Sequence, residues 1–299
     1  MVENEVTIIG AGPAGMSAAI YLRRAGLSPV LLDRTEPGGL LRSANWVENY
    51  PGFPDGISGQ ALATLFKDQL RQVGAKVTSA DVLSVKRGRL GFQIKNRKGD
   101  RTSRAVILAT GTRPAKVTIK GAKELAGRRV FGELHELPSS LNGKRLIIVG
   151  GGDAAFDYAL GLRERGAHIL VVSRSEPHCL KLLRDRTEAL GIEVVIGASP
   201  RTVHRARDGL VLTCDAGSSE VGLSGDFLLM ACGRVPNIEV LCPSLRREIG
   251  ANKNGFPETS VRGLYLAGDV VRNKHRQTGI AVGDGIRAAM LVEEHLRGR

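Results

Sequence analysis

Aromatic residues are scarce in this chain of 299 residues: they make up 4%, with a single Trp. That scarcity removes the stacking platforms on which single-stranded nucleic acid is bound, and no recognised nucleic-acid module is present. Cysteine is sparse too. Cys179, Cys214, Cys232 and Cys242 show no CxxC spacing and no metal-ligand pattern, which excludes a zinc knuckle, a dense disulfide framework and a local dithiol pair. Reduced, buried or half-buried thiols are expected, and no metal site. No apolar run approaches the roughly 20 residues that a membrane-spanning helix needs. Met1 leads almost at once into the strand-like Val6-Thr7-Ile8-Ile9, so no signal peptide is expected and the protein is read as soluble and cytoplasmic, without a membrane or nucleic-acid partner.

What is present is length, glycine and positive charge. The length suits two domains. Hydrophobic residues, at 42%, are in the usual globular range, whereas 38 Gly and a formal net charge of +13 stand out. The charge is concentrated. Residues 81–130 hold fourteen Lys and Arg against Asp81, Asp100 and Glu124, so that segment carries +11 of the +13. Such a field would steer an acidic protein or a phosphate-rich ligand, or it is a solvated face.

The glycines fall into a pattern. Val6–Ile9 runs into Gly10-Ala11-Gly12-Pro13-Ala14-Gly15, and the residues that follow, to Arg24, read as a helix. In GxGxxG the glycines permit a tight turn and close backbone approach, and the helix N-terminus faces a pyrophosphate. A second apolar strand ends at Asp33, twenty-three residues after Gly10, where an acid can accept both ribose hydroxyls of an adenosine. The unit then repeats. Arg145–Val149 runs into Gly150-Gly151-Gly152-Asp153-Ala154-Ala155, a helix follows, and the His168–Val172 strand ends at Ser173-Arg174-Ser175, again twenty-three residues after the first glycine. A carboxylate there would repel a 2′-phosphate. Ser and Arg can bond to it, so the change favours NADP over NAD, with Lys181 and Arg184 as possible helpers.

Between and after these units lie a small meander over Leu83–Lys95 and Ser103–Ala109, a turn at Thr110-Gly111, its echo at Gly233-Arg234, and a strand entering Gly268-Asp269 before a long C-terminal helix. An Asp directly after a buried strand can bind a hydroxylated cofactor chain, or simply cap the loop.

Together GAGPAG at Gly10, Gly38-Gly39-Leu40-Leu41, Val47–Pro54 with Asn49, Ala109-Thr110-Gly111, GGGDAA at Gly150, and Gly268-Asp269 with Arg276-Gln277-Thr278 resemble low-molecular-weight thioredoxin reductase over nearly the whole chain. The resemblance implies an α/β fold of two Rossmann-like three-layer (ββα) domains, an NAD(P) domain at 115–236 inserted into a discontinuous FAD domain at 1–114 and 237–299, and a homodimer. FAD would meet Gly10, Gly12, Ala14, Gly15, Asp33, Arg34, Gly39, Leu40, Leu41, Asn49, Val82, Ala109, Thr110, Gly111, Gly268, Asp269, Arg276, Gln277 and Thr278. NADPH or NADH would meet Gly150, Gly152, Asp153, Ala154, Ala155, Ser173, Arg174, Ser175 and Arg234.

Two departures matter. Where family members carry a redox-active CxxC, this chain reads Glu133-Leu134-His135-Glu136. A carboxylate can neither attack a disulfide nor accept electrons, so the usual relay to thioredoxin is missing. The family's basic motif for the NADP 2′-phosphate is reduced to Arg174, with Cys179 where a later Arg would stand, which leaves NADH, or no pyridine nucleotide, open. The remaining pattern resembles the ferredoxin (flavodoxin) NADP reductase branch, and the basic 81–130 segment would suit such an acidic carrier. The expectation is an FAD-dependent NAD(P)H oxidoreductase serving an external acceptor. Its alternatives are a flavoprotein reduced by ferredoxin or another carrier with a vestigial second domain, and a non-catalytic flavin-binding scaffold. His135 is a candidate proton donor; otherwise Glu133, His135 and Glu136 are solvated residues on an interdomain surface.

Overall fold

The computed structural model describes residues 3–249, 257–271 and 275–298. The chain divides into two compact units: residues 1–42, 47–113 and 235–299 form the first, and 43–46 with 114–234 form the second. The middle of the chain is thus an insertion in a discontinuous unit, and both units are α/β.

In the first unit, parallel strands lie in the order Val77–Ser79, Val30–Asp33, Asn4–Ile9, Arg101–Leu108. The last of these serves two partners. Its first part, Arg101 to Ser103, pairs antiparallel with Gly91–Asn96, which continues into Val82–Gly88, while Val106–Leu108 pairs parallel with Leu264–Leu266. This split peels the meander away from the main sheet and creates the third layer. Helices Pro13–Arg24 and Thr278–Arg297 pack with the sheet through one apolar cluster. Strand alternation feeds both faces: Val6, Ile8 and Ile107 enter the helix-side core, whereas Ile9, Val106 and Leu108 enter a second core with the meander. Each such fully buried aliphatic side chain stabilises the fold by about 1.5–3 kcal/mol.

The second unit repeats the plan. Its parallel sheet has the order Glu193–Ile196, His168–Ser173, Arg145–Val149, Phe227–Met230, Val130–Phe131. An antiparallel meander, Ala198–Ala206, Gly209–Ala216 and Ser219–Gly225, lies on one face. Leu146 and Ile148 join Phe156 of the Asp153–Glu164 helix in one core, while Ile147 and Val149 join Val203, Leu212 and Cys214 of the meander in the other. Among the described residues no helix is long and apolar enough to cross a membrane. The +11 segment is divided at the unit boundary: residues 81–113 belong to the first unit and 114–130 to the second.

Candidate functional site

Each unit presents one glycine turn at the carboxyl end of its central strand, built the same way. A Cβ on Gly10, whose φ is +105°, would overlap the Ala109 carbonyl oxygen, and one on Gly150 would overlap that of Ala231. The turn therefore lies against the end of the neighbouring strand, and only glycine permits that approach. A Cβ on Gly15 would overlap the Gly10 carbonyl oxygen, so the Pro13–Arg24 helix is seated directly on the turn.

The first turn is open. Gly12 is the N-cap of that helix without a side-chain cap, no acid stands in the first turn, and a Cβ added at Gly12 would meet nothing within 4 Å. Uncapped N–H groups beside free space form an anion seat. Around it, Gly38 N–H donates to the Ala11 carbonyl at 2.8 Å, and Gly39 comes close enough that its Cβ would lie 3.2 Å from Gly12 Cα. Asp33 Oδ2 accepts the Ala11 N–H at 2.6 Å, and Oδ1 accepts the Thr35 N–H at 2.8 Å and its hydroxyl at 3.0 Å. Oδ2, with one bond, keeps lone-pair capacity for a ribose hydroxyl, whereas Oδ1 is already filled by Thr35. Gly268 packs on Ala14 from the other side, and its N–H donates to Asp284, whose carboxyl burial holds above the usual carboxylate range. Asn49 Nδ2 donates to Gln277 Oε1 at 2.7 Å, joining residues 228 apart in sequence. Thr110 donates its hydroxyl to the Asn237 carbonyl, and the Asn237 N–H donates to Gly111. These residues fit an extended dinucleotide: an open anion seat, an acid at ribose distance in the chain, and exposed amides at 49 and 277.

The other residues expected around this turn differ in exposure. Val82, 8% exposed, is packed in the meander-side core, which leaves only its backbone available. Leu41 is buried, Leu40 half-buried and Arg34 exposed.

The second turn is more crowded. Gly152 caps the Asp153–Glu164 helix, but a Cβ there would stand 3.1 Å from His178 Nε2. The 174–180 segment folds back over the turn: His178 N–H donates to Gly151 O and Leu180 N–H donates to Asp153 Oδ1, each at 2.8 Å. Ala154 is exposed and Ala155 fully buried. Ser173 is 3% exposed and its hydroxyl donates to the Ser175 carbonyl, so it faces its own loop and not a phosphate. Arg174 and Ser175 are the exposed groups; Lys181 is paired with Asp185 and Arg184 with Glu176.

Glu133 corrects the expectation of a solvated loop. It is joined to Arg234 by two hydrogen bonds, at 2.7 and 3.0 Å, with side-chain exposures of 14% and 17%. Arg234 is thereby committed to a protein carboxylate. The Glu136 carboxylate accepts the Gly132 and Glu133 N–H groups at 2.9 and 3.1 Å, closing the short 3₁₀ turn Leu134–Glu136 on itself. His135 is exposed on that turn. Burial holds the Tyr158 phenol, beside this pair, above its ordinary value. Both carboxylates are visible in the local sequence, whereas the partner of Glu133 is not, because Arg234 lies 101 residues away.

The pattern of the pyridine nucleotide-disulphide oxidoreductases matches residues 4–285. The chain belongs to that family. It is 31% identical over 305 residues to the thioredoxin reductase of Bacillus subtilis, covering 98% of this chain and 94% of that protein. It is also 31% identical to NADPH-dependent thioredoxin reductase 3 of Arabidopsis thaliana, covering 99% of this chain and 59% of that one. The crystal structure of T. acidophilum thioredoxin reductase superposes with a TM-score of 0.87 at 28% identity, over 96% of this chain and 97% of that one. Members of the family are FAD-dependent NAD(P)H oxidoreductases.

Proposed function

We propose that this flavoenzyme takes electrons from NAD(P)H and delivers them from FAD directly to an external acceptor, an acidic electron carrier of the ferredoxin or flavodoxin kind, with no protein disulfide in between. The observation that carries this reading is the Glu133–Arg234 ion pair together with the Glu136 backbone bonds: the two positions that resemblance gives to redox cysteines are held as structural carboxylates. Neither group can form or break a disulfide. FAD bound to the first unit would supply hydride acceptance and onward electron transfer. The chain's part is binding and orientation. The Gly12 turn and the uncapped helix N-terminus would hold the pyrophosphate, Asp33 the adenosine ribose, and Asp269 the ribitol, while Asn49 and Gln277 fix one another next to the ring. In the second unit Gly150, Gly152, Arg174 and Ser175 would receive the NAD(P)H.

A second reading rests on His178 and Asp153. With an imidazole against Gly152 and a carboxylate opening the helix, the second turn is less receptive to a pyrophosphate than the first. In that reading the flavin is reduced by a carrier and the second unit is vestigial. Anaerobic titration of the purified holoprotein with NADPH and NADH, following the flavin absorbance, separates the two. Bleaching by either nucleotide, followed by reoxidation with ferredoxin or flavodoxin and not with thioredoxin, is expected. Bleaching only by a reduced carrier would favour the second reading, and turnover with thioredoxin would overturn both.

A further inference from the structure

We infer that the second unit carries an oxyanion-binding groove, separate from its glycine turn, for a phosphate-bearing small molecule. The groove has a volume of about 1010 Å³. Arg128, Arg205 and Arg207 line it and make no side-chain hydrogen bond or ion pair among the described residues. Arg128 comes from the turn before the Val130–Phe131 strand, and Arg205 and Arg207 from the hairpin joining Ala198–Ala206 to Gly209–Ala216. Leu125 and Phe227 add apolar surface.

The carboxylates of the groove do not cancel this charge. Asp226 accepts the Arg145 N–H at 2.9 Å and lies 3.7 Å from Lys144, while Arg129 donates to the Asp226 carbonyl at 3.0 Å. Glu124 and Asp208 complete the walls, so cations outnumber carboxylates five to three. Three unpaired guanidinium groups around one concavity repel one another, and a ligand with several phosphate oxygens relieves that repulsion through bidentate bonds.

Position separates the groove from the dinucleotide turn. Ligands of parallel α/β sheets bind at the carboxyl ends of the strands, where Gly150 follows Val149. Lys144, Asp226 and Arg129 precede the amino ends of their strands. A five-residue strand, about 16 Å long, lies between the two sites. A concave site with some apolar lining suits a compact ligand better than the flat face of a protein.

Calorimetric titration of the full-length holoprotein at low salt, with NADP⁺ present in excess, tests the inference with two probes, tripolyphosphate and ATP. Both are expected to bind and to weaken with added salt. The R128Q/R205Q/R207Q variant should raise each Kd at least about tenfold while its flavin content and melting temperature stay unchanged. ATP binding more tightly than tripolyphosphate would identify the ligand as a nucleotide, and equal affinity would identify an inorganic polyphosphate; both support the site. Absence of binding by either probe, equal binding by the variant, or binding of poly-glutamate in their place would overturn it.

Discussion

Replacing Arg234 by Met asks whether the ion pair to Glu133 holds the 133–136 turn. Met keeps most of the side-chain volume and removes the guanidinium, so the Glu133 carboxylate loses both bonds, at 2.7 and 3.0 Å, in a place where it is 14% exposed. Breaking a fully buried pair from one side costs about 3–5 kcal/mol, because an uncompensated charge remains. The residual exposure of both groups places this pair at the low end, about 3 kcal/mol. For a unit of this size that corresponds to a fall in Tm of about 10 °C. The sign of the coupling is the sharper test. In E133Q/R234M no charge is left buried, so the double variant should be more stable than R234M alone by about 1–2 kcal/mol. Urea unfolding of wild type, E133Q, R234M and the double variant closes the cycle. A loss below about 1 kcal/mol in R234M, or additive single effects, would refute the claim that Glu133 and Arg234 form a structural ion pair.

Three further outcomes follow from the geometry. Gly12→Ala should leave the apoprotein within about 0.5 kcal/mol of wild type, since its Cβ enters open space, yet lower FAD retention; Gly15→Ala, whose Cβ overlaps the Gly10 carbonyl, should unfold the first unit, as circular dichroism and flavin content would show. Asp157 is held above its ordinary pKa of 3.8 chiefly by burial, against the backbone N–H bonds of Asn45 and Trp46. A raised carboxyl pKa contributes stability that is present below 3.8 and lost as pH rises through the folded value, so D157N should gain on wild type in urea unfolding as pH rises above about 4; a constant difference would contradict this. Burial pushes Cys214 and Cys232 up to about 11, whereas at Cys242 hydrogen bonds from Ser244 and the Leu245 backbone outweigh burial and lower the thiol. Native thiol titration at pH 8 should therefore show one fast phase that C242S abolishes.

Much of this architecture is local and so was legible in the chain. Gly10, Gly12 and Gly15 announce their turn because close backbone approach admits no side chain, and Asp33 follows at the distance that one helix and one strand impose. The meander read over Leu83–Lys95 shows in alternation, clearest at Phe92-Gln93-Ile94-Lys95. What could not be read is what depends on partners far along the chain. Ser173 occupies the ribose position by spacing, but a rotamer that bonds the Ser175 carbonyl turns it inward. Val82 stands at a plausible contact position, and packing against the meander core claims its side chain. The basic 81–130 run looks like one patch on paper and is shared between two units, while Lys144, Arg205 and Arg207 join Arg128 from elsewhere.

The sequence by itself determined the two glycine-turn units, their order and the lack of CxxC spacing, because each is a matter of residue type at short spacing. Only the tertiary structure decided what meets Glu133. An acid at 133 is a solvated residue or a largely covered one according to whether a cation meets it, and that cation arrives 101 residues later, just past Phe227–Met230, the strand that pairs with Val130–Phe131. Strand pairing, which no local pattern encodes, brings them together.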